Sequence, residues 1–142
     1  MGLETYLPQR KTWSRRQDRR QMIEVPALPG YLFVRCVLSA EKRAAMKRTA
    51  GVVHVVENSG RPCAIPPEQI DSLRLVLANA AAAEHPYLRE GQRVRVTSGP
   101  FEGAHGYLLR PEAAKARLVI AVEWVNRAVS VEIDARCVEP SA

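Results

Sequence analysis

The residues best suited to covalent or metal chemistry are spaced in ways that argue against it. Cys36, Cys63 and Cys137 are odd in number and far apart, which suggests neither a disulfide framework nor a Cys-x-x-Cys metal site. They read as reduced packing residues. His54, His85 and His105 show no metal-ligand spacing, and a lone His54 inside a valine run is more often a packed or edge histidine than a ligand. No paired carboxylates, Ser-His-Asp set or phosphate-cradling glycine loop stands out. The expectation is a protein that is not an enzyme and needs no metal or cofactor. What remains is the chemistry of binding.

Two stretches carry that chemistry on their own residues. The first is Pro8 to Gln21, which holds Arg10, Lys11, Trp13, Arg15, Arg16, Arg19 and Arg20. Residues 1–20 contain six Lys or Arg against two acids, residues 21–89 eight against six, and residues 90–142 seven against seven, so most of the net charge of +6 sits in the first twenty residues. Such a segment favours phosphate through counterion release, although a solvated basic loop is the plain alternative. Trp13 can stack on an unpaired base or an Arg plane, or fold back over the base of its own loop. The second stretch runs from Glu90 to Gly106. Arg93, Arg95 and Thr97 alternate with Val94 and Val96, the period of a strand with one wet face. Gly99 and Gly103 then bracket Pro100-Phe101-Glu102 in a forced turn, and Gly106 lets the next strand begin close to the first. Phe101 at the tip is either a plug for the core or a docking knob.

The elements around these stretches follow from periodicity and breakers. Glu4–Leu7 and Met22–Val25 read as strands flanking the basic segment as a hairpin or loop. Pro26-Ala27-Leu28-Pro29-Gly30 interrupts the pattern, because proline lacks a donor. Tyr31–Val37 is expected as a buried strand. Ser39 suits the N-cap of a helix that ends at Thr49-Ala50-Gly51, and Val52–Val56 is expected as the next strand. After a turn at Asn58-Ser59-Gly60, Pro67 opens a second helix with Ile70, Leu73, Leu77 and Ala80 on one face. Residues 81–87 lose periodicity and read as a linker. Strands at Gly106–Arg110, Arg117–Trp124 and Ala128–Ile133, with Cys137-Val138 at an edge, complete five short strands in about fifty-five residues, enough for a small β-barrel. Its core should be Val94, Val96, Leu118, Ile120, Val122, Val129, Val131 and Ile133.

At 142 residues, 46% hydrophobic and 25% charged, the chain has the composition of an ordinary soluble protein of one domain or two small ones. It has no apolar run of transmembrane length and no secretion signal at its start, so a cytoplasmic protein without a membrane partner is expected.

The Gly99-Pro100-Phe101-Glu102-Gly103 turn after a basic alternating strand resembles the KOW motif. Trp13-Ser14-Arg15-Arg16, Pro29-Gly30-Tyr31-Leu32-Phe33-Val34, Thr49-Ala50-Gly51-Val52-Val53, Arg61-Pro62 and Ile65-Pro66 extend the likeness across the chain, which in this order resembles the NusG family of transcription elongation factors. The Trp-Ser-Arg-Arg stretch is closer to the RfaH-like and polysaccharide-operon antitermination paralogues. The resemblance implies an α+β chain: an antiparallel-sheet NGN domain over residues 1–80, lacking about thirty residues that hold the family's first strand and helix, a linker at 81–87, and an SH3-like five-stranded KOW barrel at 88–142. It implies a monomer that modulates elongation, pausing, termination or antitermination. Leu28, Pro29, Gly30 and Tyr31 would meet the RNA polymerase clamp, with Leu28 and Tyr31 partly exposed. Arg10, Lys11, Trp13, Arg15, Arg16, Arg19 and Arg20 would meet upstream DNA or nascent RNA. Gly99, Pro100, Phe101 and Gly103 would dock a partner such as Rho or a small-subunit ribosomal protein, with Phe101 as the exposed knob. A KOW protein of translation or ribosome assembly is the alternative.

Overall fold

The computed structural model describes residues 2–14, 21–79, 82–85, 91–110 and 115–141. In chain order they form β1 (Glu4–Tyr6), β2 (Gln9–Trp13), β3 (Met22–Pro26), β4 (Phe33–Arg35), α1 (Ala40–Arg48), β5 (Glu57–Asn58), β6 (Arg61–Pro62), α2 (Pro67–Leu77), β7 (Ala83–His85), β8 (Gln92–Val96), β9 (His105–Leu109), β10 (Arg117–Val122), β11 (Arg127–Glu132) and β12 (Val138–Pro140). The chain divides into two compact units, one of Met1–Leu7 with Leu32–Ala64 and the other of Pro8–Tyr31 with Ile65–Ala142.

The second unit is built on an antiparallel six-stranded sheet in the order β12-β8-β9-β10-β11-β7. The strands form because β-branched residues alternate or run continuously where neighbours exist on both sides. All eight residues expected in the core are buried, and Val94, Leu118, Val122 and Val129 are fully so. Gly106 on β9 is a packing requirement as well as a turn residue. A Cβ there would lie 2.5 Å from the Val119 carbonyl oxygen and 2.9 Å from Ile120 Cδ1, so the close approach is to β10 rather than to β8.

Two sequence expectations change in this unit. The stretch expected as a linker contains β7, whose residues pair with β11 from Ala128↔His85 to Ser130↔Ala83. The free edge of β11 supplies backbone partners that overcome the weak strand preference of an alanine-rich segment. The second change concerns α2, which does open on Pro67 and present a face to a sheet. That face is Ser72, Leu73 and Val76, all buried, and the strands it packs on are β9, β10 and β11. The two-stranded β2–β3 hairpin completes this unit, in register from Gln9↔Pro26 to Trp13↔Met22.

The first unit is thinner. Among the described residues β1 pairs only with β4, Glu4↔Arg35 to Tyr6↔Phe33, and the opposed Tyr6 and Phe33 rings stack at 6.4 Å. Ser39 caps α1 by accepting from the Lys42 amide at 3.1 Å, and Gly51 ends the segment at φ 91°. Ser59 and Gly60, both at positive φ, turn β5 into β6 in the manner of a tight two-residue hairpin loop. Glu57 is held by Arg43 at 2.5 Å and by Lys47 at 4.0 Å, and the Arg43 hydrogen bond lowers the Glu57 carboxyl below its ordinary value.

Here the sequence overstated order. The expected strand Tyr31–Val37 shrinks to Phe33–Arg35, none of it fully buried. Val52–Val56 forms no strand; among the described residues its backbone bonds are Val52 to the Thr49 carbonyl and Val56 accepting from Cys63. Val53 is 91% exposed. Strand preference expresses itself only against a neighbouring strand, and among the described residues this segment has none.

Candidate nucleic-acid and partner interfaces

The basic hairpin is positioned by its ladder. The Ser14 amide donates to the Gln21 carbonyl at 2.7 Å, one step beyond the Trp13↔Met22 pair, and at the other end the Ala27 amide donates to the Pro8 carbonyl at 2.8 Å. Lys11 and Trp13 are exposed and Arg10 is half-buried. Trp13 is 60% exposed. Arg15, Arg16, Arg19 and Arg20 lie outside the described residues.

At the base of the hairpin the chain turns through Leu28-Pro29-Gly30-Tyr31, closed by the Tyr31 amide donating to the Leu28 carbonyl at 3.1 Å. Proline in the second place and Gly30 at φ 88° in the third are what such a turn demands. Pro29 and Gly30 are exposed and Tyr31 is half-exposed, with the Arg127 guanidinium 6.0 Å from its ring centroid. Leu28 departs from expectation. It is 1% exposed and joins Ala27 and Pro8 in the interior, because the turn points its two middle residues outward and its first residue inward.

The Gly-Pro-Phe turn is closed by its own backbone. The Glu102 amide donates to the Gly99 carbonyl, Gly103 to Val96 and Ala104 to Phe101, while Gly99 and Gly103 take φ of 89° and 95°. Gly99, Pro100 and Gly103 are exposed, but Phe101 is 5% exposed. The ring is therefore a plug and not the expected exposed knob. Alternation alone could not decide this, since the turn leaves the strand period before Phe101.

Three polar contacts that the sequence did not suggest tie α2 to the sheet. The His105 amide donates to Ser72 Oγ at 2.9 Å, the Glu123 amide to Gln69 Oε1 at 3.0 Å, and Arg93 pairs with Glu68 at 2.9 Å. Ser72 is 1% exposed, and its hydroxyl oxygen accepts from the part-buried His105 amide. Beyond β11, Asp134 accepts from the Arg136 side chain and amide, and these bonds hold its carboxyl at about 2, well below the usual carboxylate value. Trp124, at φ 68° and 45% exposed, sits in the β10–β11 turn; no periodicity marks it.

Among the described residues no cluster of His, Cys, Asp and Glu could hold a metal ion, and no helix is long and apolar enough to cross a membrane.

Residues 1–74, just over half of the chain, match the family described as Transcription termination factor nusG. A Transcription termination/antitermination protein NusG of Vibrio cholerae is 27% identical over 134 residues, covering 92% of this chain and 74% of that protein. The protein of the same name from Staphylococcus carnosus is 25% identical, covering 90% and 72%, and that of Deinococcus radiodurans is 31% identical, covering 75% and 64%. These likenesses favour transcription over the ribosomal alternative and agree with an α+β chain ending in a KOW-like antiparallel sheet. The chain belongs to the NusG family of transcription factors.

Proposed function

We propose that the protein acts by binding alone, engaging RNA polymerase and nearby nucleic acid without covalent chemistry, as a cytoplasmic monomer. In this reading residues 1–80 supply the NGN-like part and residues 88–142 the KOW part. The exposed turn at Pro29-Gly30 with the half-exposed Tyr31 meets the polymerase clamp, and Leu28 anchors that turn from beneath. The basic hairpin meets upstream DNA or nascent RNA. The tip of the KOW turn offers the exposed rim of Gly99, Pro100 and Gly103 to a recruited protein such as Rho or a small-subunit ribosomal protein, with Phe101 holding the rim in shape.

The observation that carries the reading is the continuity of hairpin and turn. Lys11 and Trp13 are exposed on β2, β3 runs directly into Pro26, and the exposed Pro29-Gly30 corner follows three residues later. A charged arm and an apolar corner on one short segment suit a protein that must hold an enzyme and its nucleic acid together. Tyr31→Ala tests it by co-purification with core RNA polymerase. Loss of an aromatic at an interface centre costs about 2 kcal/mol or more, which is at least a tenfold loss of affinity, with the circular dichroism spectrum unchanged. Undiminished polymerase binding by Tyr31→Ala would remove the turn from the interface.

A further inference from the structure

On β2 the exposed positions are Gln9, Lys11 and Trp13, and Arg10 and Thr12 between them are half-buried. Residues directly opposite in an antiparallel pair present their side chains to the same face. Trp13↔Met22, Lys11↔Glu24 and Gln9↔Pro26 are such pairs, and all six residues are exposed. One face of the hairpin is thus entirely in water, and its outer step is an indole beside a thioether, 60% and 45% exposed. The Ser14–Gln21 backbone bond holds that step from the far side, so the indole rides on a formed ladder.

We propose that this face binds unpaired bases of single-stranded nucleic acid, with Trp13 as the stacking platform, Met22 supporting the stacked base at its edge and Lys11 meeting the adjacent phosphate. The inference deepens the reading of the hairpin given above and rests on it. A flat ring with an open face suits a base whose own faces are free. In a duplex those faces are already covered by neighbouring pairs, and only edges and phosphates are offered. The charge around the step points to nucleic acid rather than to an apolar peptide, because Trp13 lies within the twenty residues that hold six Lys or Arg against two acids. Glu24 opposite Lys11 keeps this face from being a strong phosphate site by itself. Stacking, which salt does not screen, therefore supplies most of the affinity there.

The test uses the full chain carrying Trp124→Phe, so that Trp13 is the remaining tryptophan of the two. Its emission is titrated with single-stranded decathymidine and with a blunt duplex of equal length. The single strand should quench the emission and the duplex should not. Trp13→Ala should weaken decathymidine binding by about 5- to 100-fold with an unchanged slope of affinity against salt. Trp13→Phe, which keeps a stacking ring and guards against loss of the hairpin itself, should retain most of the binding. Lys11→Gln should reduce the slope by about one unit. Equal quenching by the duplex, or wild-type affinity in Trp13→Ala, overturns the proposal. If polymerase co-purifies normally while decathymidine neither binds nor quenches, the stacking site fails and the polymerase reading stands. If decathymidine quenches Trp13 but polymerase binding is absent, the stacking site stands and the polymerase reading fails.

Discussion

Val52-Val53-His54-Val55-Val56 and Leu118-Val119-Ile120-Ala121-Val122 are close in composition, yet the first forms no strand and the second lies in the centre of a six-stranded sheet. The difference is in their neighbours. β10 has β11 along its whole length, β9 beside Arg117 to Val119 and α2 over it, and its Leu118, Val119, Ile120 and Val122 are buried. Among the described residues the valines at 52–56 have no strand on either edge, and Val53 is left 91% exposed. The preference of a β-branched residue for extended backbone is worth little until another strand and a packing surface make use of it.

This contrast can be sharpened or broken by substitution. The largest effect is expected at Phe101. As a buried plug it should cost about 3–5 kcal/mol on truncation to alanine, read as a fall in the denaturant midpoint. A variant that keeps its midpoint would return Phe101 to the surface. Leu118→Ala in β10 should cost about 2–5 kcal/mol, whereas Val53→Ala should stay within about 0.5 kcal/mol. A large loss in Val53→Ala would mean that the valine run is packed after all. Ser72→Ala leaves the His105 amide facing α2 without its acceptor, so a loss of about 1–3 kcal/mol is expected; alanine is small enough that a neutral result would mean the bond contributes nothing.

The smallest effect is that of pH. Asp134 has its carboxyl held at about 2, below its ordinary 3.8, chiefly by the Arg136 hydrogen bonds. Because the folded value is depressed, the ionised form is favoured in the native state. Its contribution is present above about pH 4 and is lost as pH falls toward 2. The carboxyl carbon resonance of Asp134 should therefore titrate near pH 2, and Arg136→Gln should move the midpoint up toward the ordinary range. An unmoved midpoint would assign the depression to something other than Arg136. The exposed ion pair should change overall stability little.

Where the sequence was legible, a local rule sufficed. Alternation named Val94, Val96, Leu118, Ile120, Val122, Val129, Val131 and Ile133, and every one is buried. Capping chemistry placed Ser39 and Pro67 correctly. What escaped depends on residues far apart in the chain. Nothing within Ala83–His85 announces that β11 has a free edge for it, nothing near Leu28 announces an interior waiting for that side chain, and the period of α2 does not say which sheet it will meet. Ser72 and Gln69 looked like ordinary polar helix positions, since a hydroxyl that completes another strand's hydrogen bonding has no pattern of its own.

The anchoring of α2 has a consequence in time as well as in space. The amides of His105 and Glu123 end on side chains of α2, Ser72 and Gln69, while the amide of Val96 on β8 ends on the backbone carbonyl of Ala104. Hydrogen exchange at the two kinds of site reports different openings. If the helix lifts away as a separate cooperative piece while the sheet stays closed, His105 and Glu123 will take up deuterium together and well before Val96, at a common rate that Ser72→Ala accelerates. If helix and sheet open only as one, all three will exchange at the rate of global unfolding.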